Sequence, residues 1–185
     1  MRTSRAGQSA LLLLDVIDIL KREGIEHLVI GAFALSAHGV VRASLGVDAL
    51  LKVTHATLVR LRALFEAAGF TAIVRRGDAQ DPIPIMLMVT DAHGNQVDLL
   101  GGLKGLDPGA FTRAMPIPFR DEALRVASLE DFIAMKCFAG GPQDLLDARS
   151  AYFSLSRRVD LDLLRRLTRR FGRNAADRLE QILAD

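Results

Sequence analysis

The sequence predicts an α/β fold, a mixed β-sheet with flanking helices followed by a helical C-terminal subdomain. Three observations predict it. Apolar, β-prone runs alternate with amphipathic helical stretches through the first two thirds of the 185 residues. Two of those runs, Ile85 to Val89 and Gln96 to Leu100, flank a turn over Thr90 to Asn95 that contains Gly94-Asn95. That is a hairpin signal, and a hairpin makes the sheet mixed rather than all-parallel. From Ser128 onward the pattern is helical throughout. The expected division is an α/β core over 1–127 and a helical subdomain over 128–185 packed on it.

Residues 8–23 place Leu11, Leu12, Val16, Ile19 and Leu20 at helical spacing, with Asp15, Asp18 and Arg22 outward and Gly24 ending the helix. Strands follow at 27–31 and from Val47 to Val53, and 55–68 reads as an amphipathic helix stopped by Gly69. A strand at 70–75 leads through the polar loop Gly77 to Pro84 into the hairpin. Residues 101–127 are Gly- and Pro-rich and are expected to be irregular apart from a short strand near Leu124 to Val126. Ser128, with Asp131 three residues on, resembles a capping box opening a helix to Ala139, and Pro142 suits the first turn of the next, to about Leu155. Asp160 is placed to cap a third helix ending at Gly172, and Asn174 a fourth.

Composition narrows the function classes. The net charge of +2 conceals a basic tail, since residues 149–185 hold nine basic and five acidic side chains. With Cys137 as the one cysteine, no intrachain disulfide can form. The apolar run Ala10 to Leu14 is soon interrupted by charges, so neither a membrane span nor a signal peptide is expected, and the expected location is cytoplasmic. His27, His38, His55 and His93 are scattered and read as structural or surface residues.

The chemistry-bearing stretch runs from Ile30 to Val53. A strand ends at Gly31, a short small-residue helix follows, and after His38-Gly39 and Arg42 a second apolar strand carries Asp48. A glycine there lets backbone N–H groups approach an anion, and a carboxylate on the neighbouring strand can hold a hard cation. Asp98 alternates with Val97 and Leu99, so it points to the opposite face from those two. If that face also bears Asp48, the two carboxylates converge and suit Mg²⁺, which accepts one or two carboxylates plus phosphate oxygens and water. The competing reading is a solvated strand-end aspartate, or one bonded to a turn.

Together these blocks resemble the DNA polymerase beta-like nucleotidyltransferase superfamily, and most of all its small bacterial abortive-infection toxin-type branch. The resemblance spans about residues 8–155 and rests on Gly31-Ala32, His38-Gly39, Arg42, the segment Ser44 to Asp48, Asp98, Lys136, and Ala139 to Asp147. It implies a nucleotidyltransferase-like sheet and Mg²⁺-dependent transfer of a nucleoside monophosphate from a nucleoside triphosphate to an acceptor hydroxyl, the acceptor being RNA or protein. It also implies an antitoxin partner. By the same resemblance Asp48 and Asp98 are catalytic and hold metal, while Gly31, Ala32, Ser44 and Lys136 bind nucleotide. The chain departs from the pattern at Gly46, where the family has its first catalytic aspartate, and at Gly141 and Gln143, where it has basic residues. Residues i and i+2 of a strand share a face, so Gly46 removes a carboxylate beside Asp48. The expected consequence is a degenerate metal site with weak or lost activity, unless the Asp78 to Asp81 loop or Asp91 supplies a replacement. The alternative is a non-catalytic nucleotide-binding or protein/RNA-interaction module on the same fold.

Three further groups have two readings each. Lys136 is either a phosphate-neutralising ammonium or a surface lysine. Asp144 and Asp147 are either catalytic or structural acids, pairing with arginines or capping the helix N-terminus, and Arg42 pairs either with Asp48 or with phosphate. Arg165, Arg166, Arg169, Arg170 and Arg173 form a basic ladder that is either a nucleic-acid face or a solvated one.

Overall fold

The computed structural model describes residues 1–40, Arg42 and 46–184. By internal contacts the chain forms two compact units, one of Met1–Phe33 with Ala43–Lys104, the other of Ala34–Arg42 with Gly105–Asp185. Residues 105–127 fall in the second unit, where they form paired strands and an ion-paired loop.

In the first unit, helix α1 (Ser9–Arg22) buries Leu12, Leu13, Val16, Ile17 and Leu20 along one side. Strand β1 (His27–Ile30) is buried throughout and is followed by the short helix α2 (Gly31–Ala37). Then come β2 (Gly46–Leu51), α3 (His55–Ala67), β3 (Thr71–Arg76), β4 (Ile85–Thr90) and β5 (Gln96–Leu100). The sheet order is β3-β4-β5-β2-β1. Strands β2 and β5 run parallel and the other neighbours antiparallel, so the sheet is mixed as expected. The β4–β5 hairpin closes on Asp91, whose Oδ1 accepts from the N–H groups of His93 (2.8 Å) and Asn95 (2.9 Å).

Alternation along the strands separates two faces. Val47, Ala49, Leu87, Val89, Val97 and Leu99 are buried on one, against which α1 and α3 pack. Gly46, Asp48, Met86, Met88, Thr90, Gln96 and Asp98 project to the other and are only half-buried.

The second unit holds the ribbon β6 (Met115–Phe119) and β7 (Glu122–Val126), then helices α4 (Leu129–Ala139), α5 (Pro142–Leu155), α6 (Leu161–Arg170) and α7 (Arg173–Ala184). The ribbon corrects the expectation of irregular chain here. Pro116 and Pro118 lower strand propensity and hide a pattern that pairing with β7 supports. Helix α4 is almost wholly buried and contacts α5, α6 and α7. Its N-cap is Ser128, whose Oγ accepts from the Asp131 N–H at 3.1 Å. Asp131 also receives the Arg113 guanidinium, which bridges to Asp107. Asp160 caps α6 as expected, accepting from Leu163 N–H, whereas Asn174 lies inside α7 rather than before it. Burial pushes the Cys137 thiol up to about 12, which fits a packing residue. Among the described residues no helix is long and apolar enough to cross a membrane.

Candidate active site

Asp48 and Asp98 are direct partners across the parallel β2–β5 pair, with Gly46 opposite Gln96 one step earlier. The convergence that the sequence left conditional therefore occurs. Neighbouring strands lie about 4.8 Å apart, so the carboxylates stand side by side on the half-buried face, within reach of one shared cation. Gly31 is held against this pair. Its φ is +69°, a conformation that glycine adopts at least cost, and a Cβ added there would land on Asp48 Oδ2. The glycine is thus required twice, by its backbone angle and by the carboxylate that fills its side-chain space. Ala32 follows it, buried. Ser44 lies outside the described residues.

Burial raises the Asp98 carboxyl above the ordinary carboxylate range, while the Gln96 amide and the charge of Arg75 act in the opposite direction. Gln96 Nε2 donates to both oxygens, at 2.9 and 3.0 Å. Sequence reading passed over Gln96 and Arg75. The signal for Gln96 was available, since residues 96 and 98 share a strand face. Arg75 comes near only through pairing of β3 with β4 and β4 with β5.

At Gly46, where the resemblance puts an aspartate, an added Cβ would meet the Gln96 carbonyl oxygen at 3.9 Å, so the position has room for a Cβ among the described residues. The candidate substitutes are committed to their own turns. Asp91 holds the hairpin and the Asn95 amide, Asp78 accepts from the N–H groups of Gln80 and Asp81, and Asp81 accepts from Ile83 N–H. Among the described residues no three His, Cys, Asp or Glu side chains gather as a metal-binding group. Two carboxylates side by side are a donor set that one hard cation, completed by substrate oxygens, would fit.

In the second unit, Lys136 is engaged by two acids, with Nζ 2.7 Å from Asp144 Oδ1 and 3.0 Å from Asp147 Oδ2. Asp147, 2% exposed, also pairs with Arg42 Nε at 2.9 Å. Arg42 thus pairs with Asp147, and Asp144 with Lys136. His38, at the end of α2, is buried with Nε2 2.7 Å from the Ala127 carbonyl, a structural histidine. Three members of the arginine ladder are also paired, Arg165 with Glu180, Arg170 with Asp107 and Arg173 with Asp177.

No protein-family model matches the sequence, and no curated protein matches it. Solved structures do. ANT(2'')-Ia, described as an antibiotic-resistance factor and studied in solution, aligns over 95% of this chain and 97% of its own, with a TM-score of 0.63 at 13% identity. Its crystal structure with adenylyl-2''-tobramycin aligns over 87% of this chain and 95% of that one, with a TM-score of 0.61 at 15% identity. The fold is that of the nucleotidyltransferases. A nucleotidyltransferase-like protein from Paracoccidioides brasiliensis agrees, covering 99% of this chain and 96% of its own with a TM-score of 0.56 at 13% identity.

Proposed function

We propose that this protein transfers a nucleoside monophosphate from a nucleoside triphosphate to an acceptor hydroxyl, using a one-cation site on Asp48 and Asp98. The observation that carries the reading is the in-register pairing of these two carboxylates on one sheet face, with Gly31 packed on Asp48. A Mg²⁺ ion held there would supply positive charge to the triphosphate oxygens and lower the pKa of the acceptor hydroxyl. Backbone N–H groups after Gly31 and the Ser44 hydroxyl would contact the phosphates. A carboxylate oxygen of this pair would take the acceptor proton as the acceptor oxygen bonds to the α-phosphorus. The bond from that phosphorus to the β-bridging oxygen breaks, and pyrophosphate leaves.

A small-molecule acceptor is favoured over RNA because Arg165, Arg170 and Arg173 are spent on ion pairs. The structures with ANT(2'')-Ia, one of them bound to an adenylylated antibiotic, point the same way. A second reading, a nucleotide-binding module without turnover, is favoured by one observation, the neutral Gln96 amide sitting on both oxygens of Asp98 opposite the open Gly46 position.

Calorimetric titration with ATP, GTP, CTP and UTP, with and without Mg²⁺, tests the binding common to both readings. Incubation with α-labelled triphosphates and a hydroxyl-compound panel separates them, since only the first yields labelled acceptor. Absence of any Mg²⁺-dependent nucleotide binding would overturn both.

A further inference from the structure

The sheet face that bears Asp48 and Asp98 continues past them toward β3 and stays open there. Strand register arranges it in rows. Thr71, Thr90, Gln96 and Gly46 make one; Ile73, Met88, Asp98 and Asp48 the next; Arg75, Met86 and Leu100 a third. Directly opposed residues project to the same side, so each row is a strip of one surface. Leu100 is buried, but Met86 and Met88 are only half-buried and Ile73 is 44% exposed. Arg75, exposed at the rim, is near enough for its charge to act on Asp98. With strands about 4.8 Å apart, Ile73 lies about 10 Å from Asp98, the length of a one- or two-ring molecule. Methionines are flexible and adapt to ligands of varied outline, and here two of them join Ile73 in a partly exposed apolar strip beside the two carboxylates.

We propose that this strip is the acceptor subsite, and that it takes a hydroxyl-bearing small molecule with a flat apolar body and a neutral or anionic far end. The hydroxyl sits at Asp98, the body on Met88, Met86 and Ile73, and the far end at Arg75. The proposal rests on the nucleotidyl-transfer reading for what happens next, but the binding it describes does not need transfer. Charge decides the acceptor class. An exposed guanidinium at the rim attracts a carboxylate and repels an ammonium, so a polycation such as tobramycin is disfavoured here.

Amide chemical-shift mapping on the full chain, without nucleotide or metal, tests this with 4-hydroxyphenylacetate and tobramycin as probes. The expected result is that 4-hydroxyphenylacetate shifts the signals of 71–75 and 86–90 and that tobramycin does not. Arg75→Glu is expected to weaken that binding by about tenfold or more and Arg75→Lys by much less, a contrast that a folding defect would not produce. Three results would overturn the proposal: no shifts on these strands, shifts there from tobramycin alone, or shifts that follow protein concentration without ligand, which would mean a second copy covers the face. Labelled-triphosphate assays on the same samples report separately on transfer. Their failure with the mapping intact would reject the reaction and leave the subsite standing.

Discussion

Two groups of carboxylates in this protein are handled in opposite ways. In the second unit Asp144 and Asp147 are matched by Lys136 and Arg42 at ion-pair distance, and Asp147 is buried within that network. In the first unit Asp48 and Asp98 are set beside each other, two like charges in register, and Asp98 is bonded to a neutral amide instead of a cation. Burial of one charge against an opposite one is a structural solution. Two acids sharing one half-buried sheet face are what the proposed cation site requires, and acids matched by cations are what a structural ion-pair group requires.

That contrast can be broken by substitution, and the largest expected effect is on chemistry. Asp48→Asn should lower nucleotidyl transfer by about a hundredfold or more while leaving the thermal midpoint within a few degrees of the parent, since each ~1.4 kcal/mol of lost transition-state stabilisation is about tenfold in rate. Unchanged turnover of α-labelled triphosphate would remove Asp48 from the site. Asp147→Asn should do the reverse. It leaves Lys136 and Arg42 without a shared acid in a largely buried place, at a cost of about 2–3 kcal/mol in urea unfolding once partial exposure of the two cations is allowed for. A loss below measurement error would show that the knot is not structural.

Gly31→Ala falls between the two regions in kind. A residue with a Cβ is disfavoured at φ +69°, and the added methyl would displace Asp48, so about 1–3 kcal/mol of stability and most Mg²⁺-dependent nucleotide binding should disappear together. Loss of either without the other would separate the glycine's two jobs. Gly46→Asp sharpens the comparison from the other side. The position is open, and a third carboxylate should strengthen Mg²⁺ binding by about tenfold in calorimetry while lowering stability slightly without metal. No gain would mean that the Gln96 amide, rather than the missing acid, limits the site.

The smallest effect is a pH dependence. Because burial raises the Asp98 carboxyl in the folded state, the folded chain binds that proton more tightly than the unfolded chain does. Its contribution favours folding below the unfolded carboxylate range and is lost as pH rises through the raised folded value. Asp98→Asn should therefore gain stability relative to the parent at neutral pH and lose that advantage toward pH 3, followed by thermal midpoint across that range. An advantage that grows toward low pH would contradict the direction of the shift.

Much of the scaffold was legible in the residues themselves. Periodicity placed α1, α3, α4 and the β4–β5 hairpin, and Ser128 and Asp160 cap helices as their side chains predict. These signals are local, carried by side chains within a few residues of the backbone groups they serve. The β6–β7 ribbon was not legible, because Pro116 and Pro118 speak against a strand that pairing across a tight turn nevertheless forms. The end of the last helix pair was misread at Asn174 for a similar reason, since a cap-forming residue is also tolerated within a first turn.

For the site, the sequence by itself determined which face of a strand Asp48 and Asp98 could occupy, by alternation with their apolar neighbours, and that Gly31 stands between strand and helix. Only the tertiary structure decided that β2 and β5 are parallel neighbours with Asp48 opposite Asp98, that Gly31 gives its side-chain space to Asp48, and that Gln96 takes both oxygens of Asp98. Strand order and register depend on pairings between segments some fifty residues apart. A side chain's identity fixes which face it can share, but not which strand will lie beside it.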